Sequence, residues 1–151
     1  MKVVITSGYF DPLHAGHVEY LEKAKKLAKR LGGKLVVIVN NDKQAILKKG
    51  YFFMPLKERI KIIKSIKYVD EVVPSIDKDS TVCKTLKKLF KIYGDCVFAK
   101  GGDKFAGNIP EAGICKKYGI KIIDGLGRKI QSSSELVKRF NRKIKNKKYS
   151  C

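Results

Sequence analysis

Two histidines, the only ones in the chain, stand three residues apart in the stretch Gly8-Tyr9-Phe10-Asp11-Pro12-Leu13-His14-Ala15-Gly16-His17. Imidazole donates hydrogen bonds to phosphate oxygens, and more strongly when protonated. Gly16 has no side chain, so the backbone between the histidines can come close to a ligand. His14 and His17 straddle it and can aim at one point. Asp11, just before them, can cap the turn or help place a magnesium-bound nucleotide. These residue types in this order suit the holding of phosphate groups. The plainer reading is a pair of surface histidines in a loop, with Asp11 as a turn former.

A short apolar run, Lys2–Thr6, precedes the motif, and an amphipathic helix follows it. In that helix Val18, Leu21, Ala24, Leu27, Ala28 and Leu31 recur at helical spacing, and Gly32-Gly33 stops it. A helix start carries unpaired N–H groups and partial positive charge, which phosphate oxygens satisfy. Further strands are predicted at Lys34–Asn40, Val69–Val73, Cys96–Ala99 and Ile120–Ile123. Helices are predicted at Gly16–Leu31, Pro55–Ile66, Ser80–Tyr93, Ile109–Tyr118 and Ser133–Arg142. The strands are near-continuous apolar runs, as parallel strands buried on both faces require. Strands alternating with helices imply right-handed crossovers. The expected fold is α/β, a doubly wound, Rossmann-like, five-stranded parallel sheet with helices on both faces. Ligands in such sheets bind beyond the carboxyl ends of the strands, where the histidine motif falls. No repeat or linker is visible, so residues 1–140 read as one domain and 141–151 as a basic tail.

Three other segments carry suitable chemistry. Lys48-Lys49-Gly50 reads as a loop whose lysine can neutralise a triphosphate as a flexible point charge, or as plain lysine-rich surface. Lys100-Gly101-Gly102-Asp103 follows the fourth strand. Its glycines let the backbone approach a base or sugar, and Asp103 can accept hydrogen bonds, although a simple turn explains the same residues. Ser132, Ser133 and Ser134 precede the last helix as a second anion site, or as N-capping with Ser132 as cap and Glu135 completing a capping box.

The long motif resembles the signature of the nucleotidyltransferase superfamily, His-x-Gly-His after the first strand. Its extended form is similar to the cytidylyltransferase-like branch, and the resemblance runs from about Lys2 to Val137. It implies that Gly8, Tyr9, Phe10, Asp11, His14, Gly16 and His17 bind nucleotide, with His14, His17 and Lys49 catalytic. It further implies that Lys48 or Lys49 binds phosphate and that Arg59, in Glu58-Arg59, faces the nucleotide phosphates. Lys100, Gly101 and Asp103 match the strand-four loop, in a form nearer to heptose-phosphate adenylyltransferases than to cytidylyltransferases. Ser132–Ser134 match the serine-rich phosphate motif. The pattern departs at Ile130, where relatives have glycine, and the arginine is displaced, with Arg128 nearest.

The implied reaction is in-line attack by a substrate phosphate on the α-phosphorus of a nucleoside triphosphate, with Mg2+ on the triphosphate and no dedicated protein metal site. ATP with a sugar phosphate such as heptose 1-phosphate is the favoured pair. CTP with glycerol-, choline- or ethanolamine-phosphate is the alternative, and flavin adenylylation is a third. A non-catalytic nucleotide- or polyanion-binding protein is the competing class. Relatives of this size often form dimers, and the resemblance leaves a homodimer open while nothing in the sequence itself requires one.

Composition sets outer bounds. The chain has 151 residues, and its hydrophobic share of 44% is ordinary for a globular domain. No apolar run reaches membrane-spanning length, and the immediate start of a strand predicts no signal peptide. Cys83, Cys96, Cys115 and Cys151 lack metal-ligand spacing and read as reduced thiols, the first three in apolar contexts, which predicts a cytoplasmic setting. The net charge of +20 draws anions and implies weak nonspecific polyanion affinity. The dense run from Lys138 to Lys148 lacks the interleaved aromatics that stack nucleic-acid bases.

Overall fold

Strand β1 (Val3–Gly8) is the central strand of a five-stranded sheet of order β3-β2-β1-β4-β5. Its companions are β2 (Lys34–Val39), β3 (Glu71–Pro74), β4 (Cys96–Gly101) and β5 (Lys121–Leu126), and every pairing is parallel. The helices are α1 (Ala15–Arg30), α2 (Asp42–Lys49), α3 (Leu56–Lys64), α4 (Cys83–Tyr93), α5 (Ala112–Tyr118) and α6 (Ser133–Tyr149). The computed structural model describes residues 1–101, 109–126 and 133–149.

Side chains alternate across a strand, and here both faces are covered. On one face Val3, Ile5, Val36, Ile38 and Phe98 pack with Leu86 and Leu89 of α4 and Cys115 of α5. On the other, Val4, Leu35, Val37, Val39 and Ala99 pack with Leu21, Ala24, Leu27 and Ala28 of α1 and Ile63 of α3. The chain winds outward from β1 through β2 to β3, then crosses back to β4. The winding therefore reverses between β1 and β4, and their carboxyl ends open a crevice there. The doubly wound parallel sheet expected from the strand–helix alternation is present, with helices on both faces.

Differences from the sequence expectations have local causes. The segment read as a lysine loop is helix α2. Asn41 caps it, accepting from the Gln44 N–H at 2.9 Å while Gln44 reaches back to the Asn41 N–H at 3.0 Å. Gly50, at φ 84°, closes it in the left-handed conformation. Helix α4 begins at Cys83 rather than Ser80, because the Asp77 carboxylate takes the N–H groups of Lys84 (2.8 Å) and Thr85 (3.0 Å) from outside the helix. Pro55 is the N-cap of α3, α5 begins at Ala112, and α6 runs past Arg142 to Tyr149. Cys96 and Cys115 are buried and Cys83 half-buried, all three free thiols, while Cys151 lies outside the described residues.

Candidate active site at the β1–α1 turn

The polypeptide leaves β1 through Gly8 and Tyr9 and turns at Phe10, which has φ 53°. A left-handed conformation costs a non-glycine residue on the order of 1–2 kcal/mol, and packing must hold it. Phe10 is buried, its ring lies against Gly8, where an added Cβ would come within 2.9 Å, and it meets the His17 ring edge-on at 4.9 Å. The strained turn delivers His14 to the N-cap of α1 and His17 to its first turn.

The two imidazoles form a reciprocal cap. His14 Nδ1 accepts the Gly16 N–H at 3.1 Å, and His17 Nδ1 accepts the His14 N–H at 3.2 Å. The rings stack with centroids 3.8 Å apart. A nitrogen that accepts from a backbone N–H carries no proton, so each neutral ring bears its hydrogen on Nε2 and presents an Nε2–H donor. Burial, then the neighbouring His14 and Lys49, hold His17 down to about 3, and burial lowers His14 as well. Both rings are therefore neutral donors at pH 7. The positive charge at this site comes from lysines and from the start of α1.

That protonation state predicts an acid-sensitive fold. Unfolded, His17 takes up a proton near its ordinary 6.5; folded, it resists to about 3. The unfolded chain binds the extra proton across that window. Stability therefore falls as pH drops from about 6.5 towards 3 and loses no more from this group below it. At about 1.4 kcal/mol per pKa unit the loss is a few kcal/mol. Urea midpoints measured between pH 7 and 4 should fall less steeply for His17→Gln than for the wild type; parallel slopes would refute the neutral buried ring.

Asp11 and Arg59 sit elsewhere than the sequence suggests. Asp11 is buried, and its carboxylate accepts the N–H groups of Phe53 (2.7 Å) and Met54 (2.6 Å), with Lys49 Nζ 3.7 Å away. It ties the segment after α2 to the β1–α1 turn, which leaves it poorly placed to hold a magnesium-bound nucleotide. Arg59 was expected to face nucleotide phosphates but is 0% exposed. Its guanidinium donates to the carbonyls of Met54 (2.9 Å), Tyr9 (2.8 Å) and Asn40 (2.6 Å) and to Asp42 Oδ1 (2.7 Å). It clamps the ends of β1 and β2 from within.

The lysines reach the turn from helix and strand. Lys48 and Lys49, in the last turn of α2, place their ammonium groups over the Tyr9 ring at 4.7 and 5.5 Å. Lys49 Nζ also donates to the Asp11 carbonyl at 3.3 Å, and burial lowers its pKa. Lys100, at the end of β4, donates to Ser7 Oγ at 3.2 Å. Ser133 Oγ donates to the Pro12 carbonyl at 2.8 Å, which brings the start of α6 to the histidine turn, and Ser134 is exposed beside it. Gly101 has a packing role, since a Cβ there would meet the Leu126 carbonyl at 2.6 Å and the Tyr20 ring at 2.7 Å. Gly102, Asp103, Arg128 and Ser132 lie outside the described residues.

A cleft of 310 Å³ opens beside the turn, over the ends of β1, β2 and β4. Ser7, Gly8, Tyr9, Asn40, Lys48 and Lys100 line it, with Glu111 on its wall. Asn40, Ser7 and Glu111 were not anticipated. Asn40 and Ser7 close their strands, a position that alone could have flagged them; Glu111 has no sequence signal. Among the described residues no cluster of three or more His, Cys, Asp or Glu could hold a metal. No described helix is long and apolar enough to cross a membrane.

Comparison with known proteins gives a consistent result. A family model described as cytidylyltransferase-like matches residues 5–140. The bifunctional protein HldE of Streptomyces coelicolor is 38% identical over 119 residues, covering 78% of this chain and 24% of that protein. HldE of Photorhabdus laumondii is 40% identical over 104 residues, covering 68% and 20%. The chain thus spans about a quarter or less of the length of these curated relatives. The crystal structure of the lipopolysaccharide core biosynthesis protein from Thermoplasma volcanium superposes with a TM-score of 0.66 at 25% identity, covering 84% of this chain and 98% of that one.

Proposed function

The chain belongs to the cytidylyltransferase-like family, and we propose that it is a nucleotidyltransferase that moves adenylate from ATP to a sugar phosphate such as heptose 1-phosphate. The observation that carries this reading is the pair of neutral imidazoles at the N-terminus of α1, each offering an Nε2–H at the end of the central strand. An oxygen of the acceptor phosphate attacks the α-phosphorus in line. A new P–O bond forms, the bond to the bridging oxygen of the β-phosphate breaks, and pyrophosphate leaves with that electron pair.

The chain needs no nucleophile of its own for this; it positions the reactants and neutralises charge. His14 and His17 donate to phosphoryl oxygens as charge builds on them, and the α1 amides add the field of the helix start. Lys48, Lys49 and Lys100 compensate triphosphate and acceptor charge, and Ser133 and Ser134 bring a second helix start to the same turn. Magnesium bound with the triphosphate would supply further charge neutralisation. The described residues offer it no carboxylate cage, and the Asp11 oxygens are already taken by backbone N–H groups.

Two observations favour ATP and a sugar phosphate. Lys100-Gly101-Gly102-Asp103 has the form seen in heptose-phosphate adenylyltransferases. The similarity to HldE, and to a lipopolysaccharide core biosynthesis protein, points the same way. The test is the nucleotide dependence of pyrophosphate release across phosphorylated sugars, polyols and amino alcohols. ATP with a sugar 1-phosphate should be the best pair by about tenfold or more in kcat/KM. Turnover with CTP alone would overturn adenylyl transfer, and salt-sensitive nucleic-acid binding with no pyrophosphate release would overturn catalysis.

A further inference from the structure

Two polar atoms on the wall of the cleft have no hydrogen-bond partner among the described residues, although both are buried: the Tyr9 hydroxyl and Glu111 Oε2. Glu111 is only 5% exposed. Its other oxygen, Oε1, accepts the Val82 N–H at 3.3 Å, which orients the carboxylate. Both residues line the same cleft, and burial, then the Glu111 charge, raises the Tyr9 pKa. A buried carboxylate oxygen without a donor is costly, and a donor on a ligand seated in the cleft would offset that cost.

The cleft is bipolar. Lys48 and Lys100 supply ammonium groups, while Glu111 is an acceptor-only carboxylate. A phosphate suits the lysines and is repelled by Glu111. Glu111 therefore needs a hydrogen-bond donor on a part of the ligand away from the phosphate. An ammonium, donor-only, could satisfy Glu111 Oε2 but offers no acceptor to the Tyr9 hydroxyl. A hydroxyl matches the chemistry of both atoms, since it can donate to Glu111 Oε2 and accept from the Tyr9 hydroxyl. From this juxtaposition we infer that the cleft is the acceptor subsite and that Glu111 and Tyr9 select a polyhydroxylated phosphate ester by reading one of its hydroxyls. The inference rests on the nucleotidyltransferase reading for the word acceptor, and on the cleft itself for the chemistry of the ligand.

Glu111→Gln is the discriminating variant. Its amide oxygen still accepts the Val82 N–H, and its NH2 places a donor where Oε2 accepted, so the fold keeps its contact while the readout reverses. Tyr9→Phe removes the hydroxyl and keeps the backbone carbonyl that Arg59 binds. Heptose 1-phosphate, phosphocholine and phosphoethanolamine are each titrated calorimetrically into the full chain saturated with α,β-methylene-ATP. Heptose 1-phosphate should bind the wild type and lose about tenfold or more in affinity with Glu111→Gln. Tyr9→Phe should cost a smaller factor. Affinity for α,β-methylene-ATP and the thermal midpoint of Glu111→Gln should stay unchanged. Three results would overturn the inference: no binding of the heptose ester to the wild type, a Glu111→Gln loss that falls on the ATP analogue, or a loss confined to phosphoethanolamine. Failure of the nucleotidyltransferase reading shows separately, as acceptor binding that Glu111→Gln weakens without any pyrophosphate release by the wild type.

Discussion

Replacing His17 with alanine lowers kcat by about a hundredfold to a thousandfold and leaves the chain folded. The ring offers one Nε2–H to the reacting phosphates, and loss of such a preorganised donor typically removes about 3–4 kcal/mol of transition-state stabilisation. Its structural share is smaller. His17 Nδ1 accepts the His14 N–H, and the ring packs edge-on against Phe10. Loss of a cap costs on the order of 1 kcal/mol. His17→Glu separates the two contributions, because glutamate at the third helical position restores the capping box and, as an acceptor-only carboxylate, offers no donor to the phosphates. Steady-state kinetics with circular dichroism on both variants should show folded, inactive proteins. Normal turnover by folded His17→Ala would sink the mechanism.

Arg59→Ala destabilises the fold by about 3–5 kcal/mol, the usual consequence of removing one partner from a buried charged network. The side chain satisfies carbonyls from three separate segments, at Tyr9, Asn40 and Met54, and pairs with Asp42. Truncation leaves those oxygens buried without donors and loosens the turn that carries the histidines. Arg59→Lys should recover only part of the loss, because one ammonium cannot span the four acceptors that the planar fork reaches. Guanidinium unfolding gives the answer. A stability change under about 1 kcal/mol, coupled to a selective loss of nucleotide affinity, would return Arg59 to the phosphate-facing role suggested by its place in the sequence.

These two residues mark what was legible in the chain. The histidine turn was legible because residue type, spacing and flanking elements agree locally, and the parallel sheet was legible because its strands are apolar on both faces. Arg59 was not: a charged residue opening a helix ordinarily faces water, and its burial depends on carbonyls that converge only in the folded chain. Helix α2 was hidden for a different reason. It spans Asp42–Lys49, and its large apolar residues Ile46 and Leu47 point outward, so hydrophobic periodicity is silent. Its Asn41–Gln44 capping box and Gly50 stop were readable signals. Glu111 lies in an unremarkable Ile-Pro-Glu-Ala run, and its unsatisfied oxygen is visible only in three dimensions.

The most direct test of the central claim is transfer of label from ATP carrying it on the α-phosphate, followed in the presence and absence of heptose 1-phosphate. Adenylyl transfer predicts acceptor-dependent appearance of the label in a nucleotide-sugar, one pyrophosphate per label transferred, and its disappearance with His17→Ala. Label that stays in ATP or AMP whatever phosphorylated acceptor is supplied would contradict the account.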